Sequence, residues 1–139
     1  MKATHKKTLE RKNAVVIGAS LLLAKAIGVM LLNNGATVTV CSTNSTDLPI
    51  YIKLVDVLVT TTCKPGFITG EMIKPVAAII DVGMKQDQGG NFLGDVEFES
   101  VSKKAGYLTP VPGGIGPMNI TVLLMNTIYS AEKIGHQTA

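Results

Sequence analysis

A segment near the beginning of the sequence has the residue types of a phosphate-binding turn. The segment VVIGAS leads from an apolar stretch into Gly18, Ala19 and Ser20, and helix-forming residues follow as far as Asn33. Glycine permits a tight turn, and the free N–H groups at the start of a helix can hold a phosphate. The dinucleotide fingerprint G-x-G-x-x-G is incomplete, because Ser20 replaces its middle glycine and Ala24 its last. A turn that binds no ligand is the alternative.

A second candidate segment is TPVPGGIGPMNIT, residues 109–121, which runs directly into a long helical pattern. Its prolines, Pro112 and Pro117 among them, fix φ and lack an N–H donor. Gly113, Gly114 and Gly116 let the chain turn tightly against a ligand. Pro117 also suits the first turn of a helix. The segment is therefore either a rigid loop that lines a ligand site or a lead-in that only starts the last helix.

The elements that must position these segments alternate between strand and helix. Helices are predicted over residues 20–33, with Ser20 as N-cap, and over 118–133. Met30, Met118 and Met125 fall at helical positions and are assigned to the core. A small hairpin with Gly89–Gly90 at its tip is predicted within residues 85–95. Short apolar runs predict five strands, over residues 14–18, 36–41, 57–62, 77–83 and 105–110.

The strands are apolar throughout, which is typical of a parallel sheet covered on both faces. The predicted fold is α/β, a doubly wound, Rossmann-like parallel sheet with a five-stranded core, in an order such as 3-2-1-4-5. Ligands of such sheets bind where the strand order reverses, here between the first and fourth strands. The second strand ends at Cys41 without an acid for a ribose hydroxyl or an arginine for a 2′-phosphate, so the loop does not distinguish NADP from NAD.

Composition limits the classes of function. The 139 residues, 46% hydrophobic and 17% charged, predict one domain over 13–134, with a basic tail over 1–12 and a short tail over 135–139. No aromatic residues interleave with the charges of the basic tail, so no nucleic-acid partner is expected. No apolar run is long enough to predict a membrane span. Cys41 and Cys63 lack metal-ligand spacing, which predicts no metal site, and they fit a reducing, cytoplasmic location.

Several motifs occur in order from about Asn13 to Lys133: VVIGAS, ATVTVC, KPGFITGEMIKP, IIDVG, LGDVEF and LTPVPGGIGPMNI. Together they resemble the bifunctional methylenetetrahydrofolate dehydrogenase/methenyltetrahydrofolate cyclohydrolase family, and specifically its NAD(P)-binding domain. The resemblance implies phosphate-side contacts from Gly18, Ala19 and Ser20, and it places Thr43 beside the ribose phosphate. It also implies that the backbone of Met84 meets the nicotinamide amide. The loop implied to touch substrate and cofactor contains Pro112, Gly113, Gly114, Gly116 and Pro117.

The resemblance implies NADP as cofactor, with NAD as the alternative, and a homodimer. The implied reactions convert 5,10-methylenetetrahydrofolate to the methenyl form and then to 10-formyltetrahydrofolate. In the family the catalytic lysine and tyrosine lie in a separate folate domain. The motifs of that domain do not occur in the present sequence. No catalytic residue is therefore assigned, and this chain alone is expected to be inactive without that domain. The alternatives are a non-catalytic nucleotide-binding or dimerisation module, a degenerate remnant, and an unrelated Rossmann-like nucleotide binder.

Four departures from the family pattern lie around the expected nucleotide site. Leu23, Ala24, Lys25 and Ala26 replace the usual V-G-x-P, and Cys63 replaces a glycine after the third strand. Lys85 replaces an asparagine and Asn119 a threonine. A thiol in place of hydrogen at position 63 predicts crowding at a cost of roughly 1–3 kcal/mol. These departures predict that the fold is retained while cofactor binding is relaxed.

Overall fold

The computed structural model describes residues 8–18 and 20–135. Helices and strands alternate over most of this length, as the sequence predicts. Their bounds are β1 (Asn13–Gly18), α1 (Leu21–Asn33), β2 (Thr37–Ser42), α2 (Leu48–Lys53), β3 (Val57–Thr61), β4 (Ala78–Asp81), β5 (Lys85–Gln86), β6 (Phe92–Leu93), α3 (Phe98–Ser102), β7 (Tyr107–Leu108) and α4 (Ile115–Gly135).

Five strands form one parallel sheet in the order β2-β1-β3-β4-β7. The predicted fold class, a doubly wound parallel sheet with a five-stranded core, is confirmed. β5 and β6 form the predicted antiparallel hairpin, and Gly90 takes a φ of 84° at its tip. The fourth and fifth predicted strands are shorter than expected, because ladder pairing covers only Ala78–Asp81 and Tyr107–Leu108.

The predicted strand order 3-2-1-4-5 is wrong, because β3 lies beside β1 and not beyond β2. α1 packs Ala24 and Ile27 against one face of the sheet, whereas α2 packs Leu48 and Ile52 against the other. Right-handed crossover connections on opposite faces of a sheet lead to strands on opposite sides. The chain therefore passes from β1 to β2 in one direction and returns past β1 to β3. The strand order therefore reverses between β1 and β3, and not between the first and fourth strands as predicted.

The core has two layers, one on each face of the sheet. One cluster includes Ile17 and Leu58 and lies under α2 and α3, while the other includes Val16 and Val59 and lies under α1. All five residues of β3 are buried, as are residues 14–18 of β1. This burial on both faces is what a continuous apolar run predicts for a central strand.

The assignment of Met30, Met118 and Met125 to the core is wrong. These side chains are 66%, 63% and 46% exposed. α1 and the first turns of α4 are apolar on all sides, so helical spacing alone does not identify the face that is covered. α4 begins at Ile115, three residues earlier than predicted, and its described side chains from residue 116 to 133 are all exposed.

The segment KPGFITGEMIKP forms turns and an isolated parallel bridge between Ile68 and Val96. The predicted tails, 1–12 and 135–139, and the domain bounds 13–134 stay predictions. Among the described residues, no helix combines the length and the apolar character that a membrane crossing requires.

Candidate functional site

The turn after β1 is built by close packing. A Cβ at Gly18 would lie 2.7 Å from the Cβ of Ala24 and 3.2 Å from Cγ2 of Thr61. Gly18 is therefore required by the approach of α1 to the sheet, and not by a positive φ. Ser20 occupies the predicted N-cap position, but its side chain makes no capping hydrogen bond. The predicted contact residue Ala19 lies outside the described residues.

The turn after β2 lies directly beside the turn after β1, because Gly18 pairs with Ser42 in the ladder. Ser45 Oγ accepts a hydrogen bond from the N–H of Ser42 at 3.0 Å, and Ser42 Oγ accepts one from the N–H of Asn44 at 3.2 Å. These bonds fix the backbone of the turn with its own hydroxyl groups. The predicted ribose-side residue, Thr43, is half-buried within it.

The turn after β3 is the third segment at the point where the strand order reverses. Thr61 pairs with Gly18, so the chain that leaves β3 emerges next to the start of α1. Cys63 is exposed and takes a φ of 54°, in the left-handed region that favours glycine. Cys41 is buried, and burial raises the pKa of its thiol. The two thiols therefore differ sharply in access to solvent.

A cleft of about 530 Å³ also lies at the carboxyl ends of the strands, beside β4 and β7. Most of the groups that line it are apolar or are backbone groups of the loop before α4. Gly113 takes a φ of 111°, and a Cβ at Gly114 would lie 2.5 Å from the carbonyl oxygen of Pro110, so both positions require glycine. Gly116 has open space around it and no such requirement. The predicted residues that line the cleft are Met84, Pro112, Gly113, Gly114, Gly116 and Pro117.

Two buried carboxylates connect the cleft with the turn after β3. Asp81, at the end of β4, accepts hydrogen bonds from the N–H groups of Gly83, Asp95 and Val96 at 3.0, 3.2 and 3.0 Å. Asp81 therefore acts as a hydrogen-bond acceptor that ties the end of β4 to the two segments that follow it. Burial raises the pKa of Asp81 to about 6, and the negative charge of Asp95 adds to this, against the effect of the three N–H donors.

Asp95 is the residue that sequence reasoning missed. It is only 1% exposed, and its carboxylate accepts hydrogen bonds from Thr60 Oγ1 and from the N–H groups of Thr62 and Lys64. An acid that follows glycine in the stretch NFLGDVEF is typical of a surface turn, so the sequence holds no clear signal of this burial. The described residues contain no group of three or more His, Cys, Asp or Glu side chains that could hold a metal ion.

The predicted site residues thus form two groups at one edge of the sheet. Gly18, Ser20 and Thr43 lie at the ends of β1 and β2, and Met84 lies with the proline and glycine loop near β4 and β7. Because parallel strands lie about 4.8 Å apart, the ends of β2 and β4 are separated by about 14 Å. The edge can therefore contact a ligand that is long and has two chemically different ends.

Comparisons with known proteins give a consistent result. A sequence profile for the tetrahydrofolate dehydrogenase/cyclohydrolase NAD(P)-binding domain matches residues 1–135. The bifunctional protein FolD of Burkholderia multivorans is 47% identical over 133 residues, which are 96% of this chain and 47% of that protein. The FolD protein of Paraburkholderia phytofirmans is 49% identical over 133 residues and is covered over 46% of its length. The chain spans about half the length of the curated relatives it matches.

Solved structures agree with this comparison. The bifunctional FolD enzyme of Campylobacter jejuni superposes with a TM-score of 0.87 at 44% identity, over 91% of this chain and 45% of that one. The methylenetetrahydrofolate dehydrogenase-cyclohydrolase of Trypanosoma brucei, solved with NADP and an inhibitor, gives a TM-score of 0.81 at 36% identity. That match covers 88% of this chain and 44% of the trypanosome protein.

Proposed function

The chain belongs to the tetrahydrofolate dehydrogenase/cyclohydrolase family, in which it represents the NAD(P)-binding domain, and from this premise we propose that it holds a nicotinamide dinucleotide along the carboxyl edge of the sheet. The observation that carries the proposal is the arrangement of the predicted residues in two groups at the two ends of that edge. A dinucleotide has two nucleoside ends joined by phosphates, which suits such a site.

At the first end we propose that the phosphates lie over the start of α1. The N–H groups of a first helical turn point outward and attract anions. Gly18 lets the start of α1 approach the end of β1 closely, and Ser20 adds an exposed residue at the N-cap position. Thr43, in the adjoining turn, is the proposed neighbour of the ribose. Ala19 is proposed as a backbone contact, from the family relation alone.

At the second end we propose that the nicotinamide enters the cleft near Met84. Met84 is half exposed there, and Phe92 of the hairpin and Ile120 of α4 line the cleft with it. Apolar walls suit the flat, apolar face of a nicotinamide ring and exclude water from it. The loop with Pro112, Gly113, Gly114, Gly116 and Pro117 is proposed as the side that meets the folate.

The chemistry of the cleft supports hydride transfer more than proton transfer. A bound NAD(P) would accept a hydride from the bridging carbon of 5,10-methylenetetrahydrofolate. Among the described residues that line the cleft, Asp81 is the one titratable side chain, and three N–H groups already occupy its oxygens. We therefore propose that this chain supplies the dinucleotide half of the site, and that the acid–base groups for ring opening to 10-formyltetrahydrofolate lie outside the described residues.

NADP is the proposed cofactor, since a related structure holds NADP, and NAD is the alternative. The test is a titration of the purified chain with NADPH and with NADH, followed by nicotinamide fluorescence. Micromolar binding of either nucleotide is expected. No binding at millimolar concentrations would refute the proposal and would favour a degenerate remnant. In a parallel assay of methylene-to-methenyl conversion, this chain alone is expected to show no turnover.

We also propose a homodimer in the cytoplasm. Large apolar side chains on α1 and at the edge strand are exposed, among them Leu22, Val29, Leu32 and Val40. Exposed apolar surface of this kind marks a protein contact, and the two free thiols favour a reducing compartment. The same surface favours the second candidate function, a non-catalytic dimerisation module. Sedimentation equilibrium with and without NADPH distinguishes a nucleotide-binding homodimer from a non-catalytic dimerisation module. A dimer that binds no nucleotide supports the module, and a monomer contradicts both the homodimer and the module.

A further inference from the structure

We propose that Asp95 is a positioning residue for the dinucleotide, because it fixes the turn after β3 at the point where the strand order reverses. The inference rests on the proposed function, since it assumes that a dinucleotide lies along this edge. Asp95 does not line the cleft itself. Its proposed role is to hold other residues in the shape that receives the ligand.

The carboxylate of Asp95 binds three donors from a single short stretch. Thr60 Oγ1 donates to Oδ2 at 2.8 Å, the N–H of Thr62 donates to the same oxygen at 2.5 Å, and the N–H of Lys64 donates to Oδ1 at 2.9 Å. These residues lie on both sides of Cys63, which is left exposed with a φ of 54°. The carboxylate therefore replaces the ladder bonds that the chain loses when it leaves β3.

The position of this turn makes its shape important. Thr61 pairs with Gly18, and a Cβ at Gly18 would meet Thr61 Cγ2 at 3.2 Å. The turn after β3 is thus in contact with the turn where phosphate binding is proposed. A shift of the chain at Thr62 would change the space above Gly18, and catalytic and binding sites lose affinity when their supports move by about 1 Å.

Asp95 is itself held from the other side. Its N–H donates to Asp81 Oδ1 at 3.2 Å, and the N–H of Asp81 donates to Thr109 Oγ1 at 2.8 Å. Thr109 precedes the proline and glycine loop. A continuous set of buried and partly buried hydrogen bonds therefore connects the exits of β3, β4 and β7, and with them the two proposed ends of the ligand.

The principal test is Asp95→Asn, read by the Kd for NADPH at a temperature well below the melting transition. The amide can accept bonds at only one atom, so at least one N–H of the turn loses its partner. We expect the Kd to rise about tenfold or more, as for a lost charge-assisted hydrogen bond. Amide exchange at Thr62 and Lys64 should speed up with it. Asp56→Asn is the matched control, because Asp56 lies at the amino end of β3 and binds Lys74 at 2.8 Å; its Kd should change less than about twofold.

A folded Asp95→Asn variant whose Kd stays within about twofold of the wild type would overturn the inference while leaving the proposed function intact. If wild-type chain binds neither NADPH nor NADH, the proposed function fails and the inference with it. If Asp95→Asn does not fold, Thr60→Val decides, since it removes one donor to Asp95 and keeps the side-chain shape. We then expect a rise in Kd of about threefold, and an unchanged Kd would overturn the inference.

Discussion

Replacing Cys63 by glycine should improve both stability and dinucleotide binding. The φ of Cys63 is 54°, and a side chain in this region costs about 1–2 kcal/mol. Glycine removes that cost but loses about 0.4–1 kcal/mol to the greater freedom of the unfolded chain. We therefore expect the free energy of unfolding to rise by roughly 0–1.6 kcal/mol. Removing the exposed thiol from the nucleotide edge should also lower the Kd for NADPH, by about tenfold if crowding costs about 1.4 kcal/mol.

The assay for this change is urea unfolding combined with NADPH titration of the wild type, Cys63→Gly and Cys63→Ala. Val76→Gly is the matched control, because Val76 has a φ of 59° and is exposed near the amino ends of the strands. It should gain similar stability and leave the Kd unchanged. Cys63→Ala keeps the backbone strain and removes only the sulfur. If Cys63→Gly and the wild type bind NADPH equally well, the argument that the thiol crowds the site is refuted.

Three further predictions concern the buried acids and the thiols. Burial raises the pKa of Asp81 from 3.8 to about 6, so the stability that its protonated form contributes is complete below pH 4 and lost as the pH rises through 6. Between pH 4 and 7 the free energy of unfolding should fall by up to about 3 kcal/mol because of this group. If Asp81→Asn loses stability with pH as steeply as the wild type, Asp81 is not the group responsible. Gly83→Ala should destabilise the fold by more than about 3 kcal/mol, because its Cβ would overlap the carboxylate of Asp95; a thermal transition unchanged from the wild type would show that the corner can relax. Cys63 should react rapidly with a thiol reagent while Cys41 stays unreactive until unfolding, and NADPH should slow the reaction of Cys63, whereas equal rates with and without NADPH would place that turn away from the ligand.

The sequence was sufficient for the elements that are decided locally. β1 is a continuous apolar run, and β3 is an apolar run that ends in two threonines; each residue from 14 to 18 and from 57 to 61 is buried, and the hairpin follows from the Gly89–Gly90 tip. The strand order was not readable, because it depends on the face of the sheet that α2 covers. α2 buries Leu48 and Ile52 but leaves Ile50 exposed, so its apolar residues do not define one face in the sequence.

The candidate site was predicted in part for similar reasons. The glycines Gly113 and Gly114 are required by a positive φ and by a close carbonyl, which are local properties of the loop. Asp95 was not predicted, because its partners Thr60, Thr62 and Lys64 are about thirty residues away in sequence. A buried acid is identified by its donors, and these are known only once the sheet is assembled.

The corner where the two buried acids meet has an evolutionary consequence. A Cβ at Gly83 would overlap the carboxylate of Asp95, and a Cβ at Gly94 would overlap the carboxylate of Asp81. Each glycine thus provides the space that the acid of the other segment fills. A larger residue at either glycine would therefore require a smaller residue in place of the acid that it faces, so a single substitution at Gly83 or Gly94 is blocked here even if the neighbouring turns vary freely. This corner would be inherited as a unit, including in descendants that no longer bind a nucleotide.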